Sequence, residues 1–314
     1  LAGLLADTGL VVHGTTVATN ALLERKGATV GMLTTAGHRD VIEMREGLKD
    51  DRYNLRMPPP RPLVPRARRL DVMERMRFDG TVETPLSKAS AEAAIKRLRA
   101  AKVGAVAVCY LHSYRDPRHE RETRRLLARL LPDAYVSLSS DVLAQIKEYE
   151  RFCTTVVNAY VGPVLARYLG ALGSRLQAAG YRGDVLIMQS HGGVATIPDS
   201  VRLAAGAVLS GPAGGIAGSR HAARLLGEGN LITFDMGGTS TDIALLEGGE
   251  PTSPATRRWA RAGWPCPAST STPWAPAAGR SRGWTRAASC TSARRARAPR
   301  RGPPAMAGAA PRRR

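Results

Sequence analysis

Apolar positions along the chain fall into two alternating spacings. Gly9–Val12 is a short apolar segment, and residues 29–34 form a β-branched run that ends at a turn containing Gly37; both predict strands. From Asp50 to Arg69 the chain is rich in Pro and Arg and has no periodicity, which predicts a long loop. After Pro85 the residues Ala91, Ala94, Ile95 and Leu98 recur at helical spacing, so a helix is expected from Ser87 onward. Val103–Leu111 is a continuous apolar run, the pattern of a strand buried on both faces. Arg118–Leu131 predicts a charged amphipathic helix and Ala134–Leu138 another strand. A long helix is expected from Lys147 to Ala179, interrupted near Gly162-Pro163 because proline removes a hydrogen bond from the ladder. Asp184–Gln189 predicts a strand, Gly214–Leu226 a helix and Leu231–Phe234 a strand. Strands alternating with helices argue an α/β architecture, and no repeat of solenoid period breaks that pattern.

Composition changes this picture at one place. The formal charge of +20 suggests a nucleic-acid or membrane partner until it is mapped onto the chain. After Glu250 there is no Asp, Glu or Lys but there are fourteen Arg, and without those fourteen the net charge is an ordinary +6. All four Trp lie in the same tail. The basic signal therefore belongs to the tail. Cys109, Cys153, Cys266 and Cys290 form no CxxC pair, so no zinc site is expected, and Cys109 and Cys153 read as buried free thiols. Reduced thiols, no apolar run of membrane-spanning length and no signal-peptide pattern predict a cytoplasmic protein.

The densest chemistry lies between Leu231 and Leu245. An apolar strand ends in Asp235, turns on Gly237 and Gly238, passes Thr239, Ser240 and Thr241, and enters a second apolar strand at Asp242. Paired glycines let backbone N–H groups approach a phosphate closely, and the three hydroxyls add donors. Asp235 is placed to hold Mg²⁺ through water, as hard oxygen ligands do. No Gly-Lys-Ser/Thr follows, so this is not a Walker loop. An ordinary acid-bounded hairpin has the same pattern. The segment Ser210-Gly-Pro-Ala-Gly-Gly215 opens a helix upstream, where Gly211, Gly214 and Gly215 either offer a helix N-terminus to a phosphate or permit close packing. His13 reads as a satisfied structural histidine, and Glu148 and Glu150, at i,i+2, fall on different faces of a helix start.

Six stretches in order carry a resemblance: His13–Leu22, Glu148–Arg151, Asn158–Pro163, Gln189–Gly193, Ser210–Gly215 and Phe234–Asp242. As a set, spanning about residues 8–250, they resemble the hydantoinase A/5-oxoprolinase family, which also includes ketone-carboxylase subunits. The resemblance implies an actin-like, sugar-kinase-like ATPase fold using ATP and Mg²⁺. It makes 235–242 the second phosphate-binding loop, with Ser210–Gly215 as the glycine segment before it. It further implies a cyclic-amide substrate of 5-oxoproline or hydantoin type and a hydantoinase B-type partner subunit. Phosphorylation of the ring-amide oxygen would create a leaving group for attack by water. Divided on that basis, residues 1–132 form an N-terminal-type domain, 133–253 the start of a hydantoinase A-type domain, and 254–314 a tail. The family's first phosphate loop, which precedes the His13 motif, is expected to be missing, which makes this an incomplete version of the fold and an inactive fragment.

The tail reads as out of frame. If each intended codon starts at the third base of a displayed one, Ala268–Trp284 permits Leu-Asp-Ile-His-Thr-Val-Gly-Ala-Gly-Gly-Gly-Ser-Ile-Ala-Trp-Val. In the same frame Trp284–Ala293 permits Asp-Ala-Gly-Gly-Leu-Leu-His-Val-Gly, and Arg301–Ala307 permits Gly-Pro-Ala-Cys-Tyr-Gly. These resemble what the family carries after its second phosphate loop. The rival reading, a disordered arginine-rich arm for nucleic acid, explains the arginines but not the hidden glycines. As displayed, the tail has few large aliphatic residues and is expected to be disordered. The genomic sequence across codons 250–268 is expected to show a lost or gained base relative to an open frame, and an intact frame there would refute the slip.

Overall fold

The computed structural model describes residues 2–45, 53–56, 61–236, 241–251 and 291–293. In chain order the first half runs α1 (Ala2–Asp7), β1 (Leu10–His13), α2 (Val17–Leu23), β2 (Val30–Thr35), α3 (Val41–Met44), β3 (Arg69–Val72), β4 (Arg75–Met76), β5 (Val82–Thr84), α4 (Lys88–Ala100), β6 (Ala105–Cys109), α5 (Arg118–Leu130), β7 (Tyr135–Leu138) and α6 (Ser139–Val142). The second half runs α7 (Glu148–Ala178), β8 (Asp184–Met188), β9 (Val194–Thr196), α8 (Ile197–Arg202), α9 (Ser210–Leu226), β10 (Leu231–Met236), β11 (Thr241–Glu247), β12 (Glu250–Pro251) and β13 (Thr291–Ala293).

The first layer is an all-parallel sheet in the order β3-β2-β6-β7. Every residue of β2 and β6 is buried, as a strand covered on both faces requires. Alternation along β2 and β6 divides the core. Val30, Met32, Ala105 and Ala107 join the cluster built around α7, while Leu33, Val106 and Val108 join Ala91, Ile95, Leu98 and Leu127 of α4 and α5. Helix α4 starts where Ser87 accepts a hydrogen bond from the Ser90 N–H, an N-cap that satisfies one of the free first-turn donors. A second sheet, β1-β8-β9, has β1 and β8 parallel with His13 opposite Ile187. The third is the hairpin β10–β11, extended by β12 and β13. Between the first two sheets lies α7, which sends Phe152, Val156, Ala159, Val161, Leu165 and Leu169 into one cluster shared by both.

Helix α7 corrects the expected interruption: it runs unbroken over its 31 residues with Pro163 inside. A mid-helix proline costs about 3 kcal/mol, whereas each large apolar side chain fully buried returns roughly 1.5–3 kcal/mol. Val161 and Leu165, on either side of Pro163, are both completely buried, so packing outweighs the lost bond. Three further differences have local causes. Helix α9 begins at Ser210, earlier than Gly214, because Leu209 in a left-handed conformation reverses the chain just before it. The non-periodic stretch ends in a strand, β3, and the hairpin β4–β5 follows it; both are too short to leave a periodic mark. In the tail, β13 pairs with β11 although disorder was expected; an open strand edge accepts any extended backbone. The rest of 254–314, and with it the out-of-frame reading, lies outside the described residues.

Cys109 and Cys153 are free and buried, as expected. Among the described residues no helix is long and apolar enough to cross a membrane.

Asn158 ties the layers together from inside the core. It is completely buried on α7. Its amide donates to Ser137 Oγ at 2.9 Å and to the Arg202 carbonyl at 3.1 Å, and its Oδ1 accepts the Ala205 N–H at 2.9 Å. One side chain thus joins β7 of the first sheet to the segment after α8. Asn158→Ala leaves those groups unsatisfied in a dry site and is expected to lower stability by roughly 2–4 kcal/mol. Urea unfolding of the variant against the parent chain measures it; a loss of under a few tenths of a kcal/mol would show the network to be dispensable.

Candidate functional site

The carboxyl ends of β1 and β8 lie side by side, and three of the sequence motifs meet there. After β1 the chain passes through Gly14, Thr15 and Thr16 into α2. After β8 it turns through Gln189–Gly193, with Gly192 at a positive φ of 84°, into β9. The start of α9 reaches this edge from far along the chain. Ser210 Oγ donates to the Thr15 carbonyl at 3.0 Å and accepts the Thr15 N–H at 3.3 Å, and the Leu209 N–H donates to Thr19 Oγ1 at 2.8 Å. The reciprocal bond works because Ser210 is fully buried and Thr15 nearly so, which removes competition from water.

The α9 glycines divide by what they face. A Cβ on Gly14 would stand 3.6 Å from Gly211 Cα, so the two backbones touch; a Cβ on Gly211 would meet Thr16 Cγ2 at 3.6 Å. A Cβ on Gly214 would sit 3.7 Å from Met188 Cε, while one on Gly215 would meet nothing within 4 Å. A Cβ at Gly211 or Gly214 would thus make only ordinary contact and one at Gly215 would face open space, so packing does not demand glycine at any of the three. Pro212 in the first turn has no N–H, and no acidic residue occupies that turn. This helix start is therefore free of carboxylates that would repel an anion.

Around the edge stand two histidines. His13 Nε2 is 2.9 Å from the Tyr168 hydroxyl, and burial holds the imidazole below its ordinary value. The partner lies on α7, 155 residues away, and no sequence signal announced it. His191 is exposed; its Nδ1 accepts the Gly193 N–H at 3.2 Å, leaving the proton on Nε2. Gln189 is buried and spent, donating to the Ile187 carbonyl and to Ser200 Oγ, both at 3.1 Å. Glu148 is exposed and Glu150 half-buried, so the two carboxylates at the start of α7 do not act as a pair.

The hairpin places Asp235 directly opposite Asp242 across the antiparallel pair, with Met236 opposite Thr241. Like charges facing each other in this register repel, so the arrangement favours a cation or a ring of donors between them. The turn that closes the hairpin carries Gly237, Gly238, Thr239 and Ser240, which lie outside the described residues, as does the Thr241 side chain. Two carboxylates with water suit Mg²⁺, which keeps several waters of its own. Among the described residues no group of three or more His, Cys, Asp or Glu could hold a metal. Helix α9 packs on this hairpin, and Arg220 clasps it by donating to the Gly249 carbonyl at 3.1 Å and pairing with Glu250. The glycine segment and the two acids thus belong to one helix-on-hairpin unit.

Comparison with known proteins matches residues 5–131 to the hydantoinase/oxoprolinase N-terminal region and residues 151–267 to the hydantoinase/oxoprolinase model. The caprolactamase subunit alpha of Pseudomonas jessenii is 41% identical over 250 residues, 79% of this chain and 36% of that protein. The crystal structure of the ATP-dependent caprolactamase from Pseudomonas jessenii superposes with a TM-score of 0.70 at 41% identity, over 78% of this chain and 36% of that one. A nucleotide-free acetone carboxylase, solved in work on ATP-dependent acetone carboxylation, gives 0.71 at 30% identity, over 80% of this chain and 37% of that one. The α/β, actin-like fold expected from the resemblance is the fold shared with these enzymes. The chain spans about a third of their length.

Two outcomes follow from the seam at this edge. Ser210→Ala is expected to cost about 1–3 kcal/mol, since it orphans the Thr15 N–H and carbonyl; chemical denaturation reads it. For His13 the folded value lies below the free imidazole value of 6.5, so between the two the unfolded chain binds more protons. This contribution to stability is present above pH 6.5 and is lost as pH falls through the folded value. His13→Gln should flatten that part of the profile of stability against pH, and an unchanged slope below neutrality would refute it.

Proposed function

Because the chain belongs to the hydantoinase/oxoprolinase family, we propose that it carries part of the nucleotide site of an ATP-dependent cyclic amidase acting on a ring amide of 5-oxoproline or hydantoin type. The observation that carries the reading is the pair Asp235 and Asp242, set face to face where the hairpin turns. When bound, ATP with Mg²⁺ supplies the phosphoryl group that makes the ring-amide oxygen a leaving group. Asp235 and Asp242 would hold the cation through water. Gly237 and Gly238 would present backbone N–H groups to the phosphates, with Thr239, Ser240 and Thr241 as hydroxyl donors. Gly211, at the first turn of α9, would offer its N–H, with Gly214 and Gly215 keeping the approach free of side chains. The Thr15–Ser210 seam fixes that helix start against β1, so its N–H groups are oriented before anything binds.

A second reading, an ATP-using subunit of a ketone carboxylase, is supported by the acetone carboxylase neighbour. A hydantoinase B-type partner subunit is part of the proposal, since the caprolactamase relative is itself a subunit. Two buried free thiols fit a reducing, cytoplasmic setting. With a frame slip near codon 253 the displayed chain would be an inactive fragment of this enzyme.

The test uses the whole gene product, read through the codons around 253, supplied with 5-oxoproline, a hydantoin, or a ketone with bicarbonate. ATP hydrolysis coupled to ring opening supports the amidase, and coupling to ketone carboxylation supports the alternative. Asp235→Ala is expected to lower turnover by about 10²-fold or more, and a variant that retains full turnover sinks the assignment of the hairpin.

A further inference from the structure

The other sheet has a topological switch point. From β2 the chain moves outward to β3 on one side; from β6 it moves outward to β7 on the other. The connections leaving β2 and β6 therefore diverge, opening a crevice beyond their carboxyl ends, the place where open parallel sheets bind ligands.

Thr35, the last residue of β2, pins three strand ends around this crevice. Its Oγ1 donates to Glu74 and accepts the Leu111 N–H at 2.9 Å, and its carbonyl accepts the His38 N–H at 3.0 Å. The residue after Glu74 is Arg75, and the residue after Leu111 is His112. His38, Arg75 and His112 are each half-buried at the mouth, near enough for the charges of Arg75 and His38 to act on His112, and Tyr114 lies against His112. The His112 and Tyr114 rings meet edge-on at 5.9 Å, and the Arg151 guanidinium lies 5.4 Å from the Tyr114 ring centroid.

These side chains keep hydrogen-bonding capacity unused. Among the described residues the Arg75, His112 and Tyr114 side chains make no hydrogen bond or ion pair, and His38 uses only Nδ1, 3.1 Å from the Ala36 carbonyl. Arg151 is 1% exposed, donates to the Tyr110 carbonyl at 3.0 Å and the Gln145 carbonyl at 2.7 Å, and keeps a buried Nε with no partner. The two buried carboxylates nearby are spent on protein donors. Glu74 is bonded by Thr35 and by His119 at 2.7 Å, and Glu120 by the Tyr110 N–H, Ser139 and the Ser140 N–H. What remains is a set of donors and cations, with the exposed Glu148 as the carboxylate that still acts on His112 and Arg151. His112 is also held at a positive φ of 54°, a conformation rare outside glycine, so the loop keeps this imidazole in place at some cost.

We infer that this switch-point crevice is a binding site for a small oxyanion, a carboxylate or a phosphate, gripped by the Arg75 fork and the His112 imidazole, with His38, whose Nδ1–H is spent on the Ala36 carbonyl, adding a donor only as an imidazolium. A planar guanidinium matches either anion with two parallel bonds. Burial, with the charges of Arg151, Arg75 and His38, holds the His112 imidazole below its ordinary value against the pull of Glu148. A bound anion adds a negative charge to that set and raises it.

The chain has six histidines, few enough to follow each ring proton by NMR. Inorganic phosphate and acetate are titrated separately into the 314-residue chain, without nucleotide, so the result does not depend on the proposed ATP chemistry. The His112 and His38 signals should shift saturably with at least one anion, and the midpoint of His112 titration should rise when that anion is bound. The arm that saturates at lower concentration identifies the source as phosphate or carboxylate. Arg75→Ala should weaken binding at least tenfold while Arg97→Ala leaves it unchanged. Arg75→Lys, which keeps the charge but loses the fork, guards against misfolding of the alanine variant. No saturable shift with either anion, or equal affinity in a folded Arg75→Lys and Arg75→Ala pair and the parent, overturns the site.

Discussion

The structure depends on a buried polar side chain whose every bond is made. Asn158 sits at zero exposure on the central helix and spends its amide on Ser137 and Arg202 and its carbonyl oxygen on Ala205. A buried amide is costly when unsatisfied and specifying when satisfied. Because its partners come from β7 and from the turn after α8, helix α7 can take only one position between the two sheets. That position in turn sets where β1 and β8 end relative to β2 and β6.

Large periodic elements could be read from the chain before any coordinates. The apolar run at 103–111 and the helical spacing from Ser87 are local patterns, and they became β6 and α4. Pro163 misled for a physical reason: its penalty is local, whereas the burial that offsets it involves residues from both sheets. Strand β3 and the hairpin β4–β5 escaped because strands of two to four residues leave no period to detect.

Site residues were legible to different depths. The acid-glycine-hydroxyl order at 235–242 pointed to a turn between strands, and the register then placed Asp235 and Asp242 opposite each other. That the glycines at 211 and 214 lie against Thr16 and Met188 was not legible, since their neighbours are far away in sequence. Nor was the Ser210–Thr15 exchange, which spans 195 residues. Contacts of that range are consequences of the fold, and only chemistry concentrated in a short stretch announces itself earlier.

The same helix serves both sheet edges. Near its start Arg151 lies under the carboxyl ends of β2 and β6, and further along Tyr168 meets His13 at the end of β1. At about 1.5 Å per residue the two positions are roughly 25 Å apart along the axis. A helix buried over most of that length does not bend freely, so the edges keep a fixed spacing. Proline within it fits this role. The helix is held continuous by what surrounds it, and Val161 and Leu165 on either side of Pro163 supply that hold by packing into the core that both sheets share.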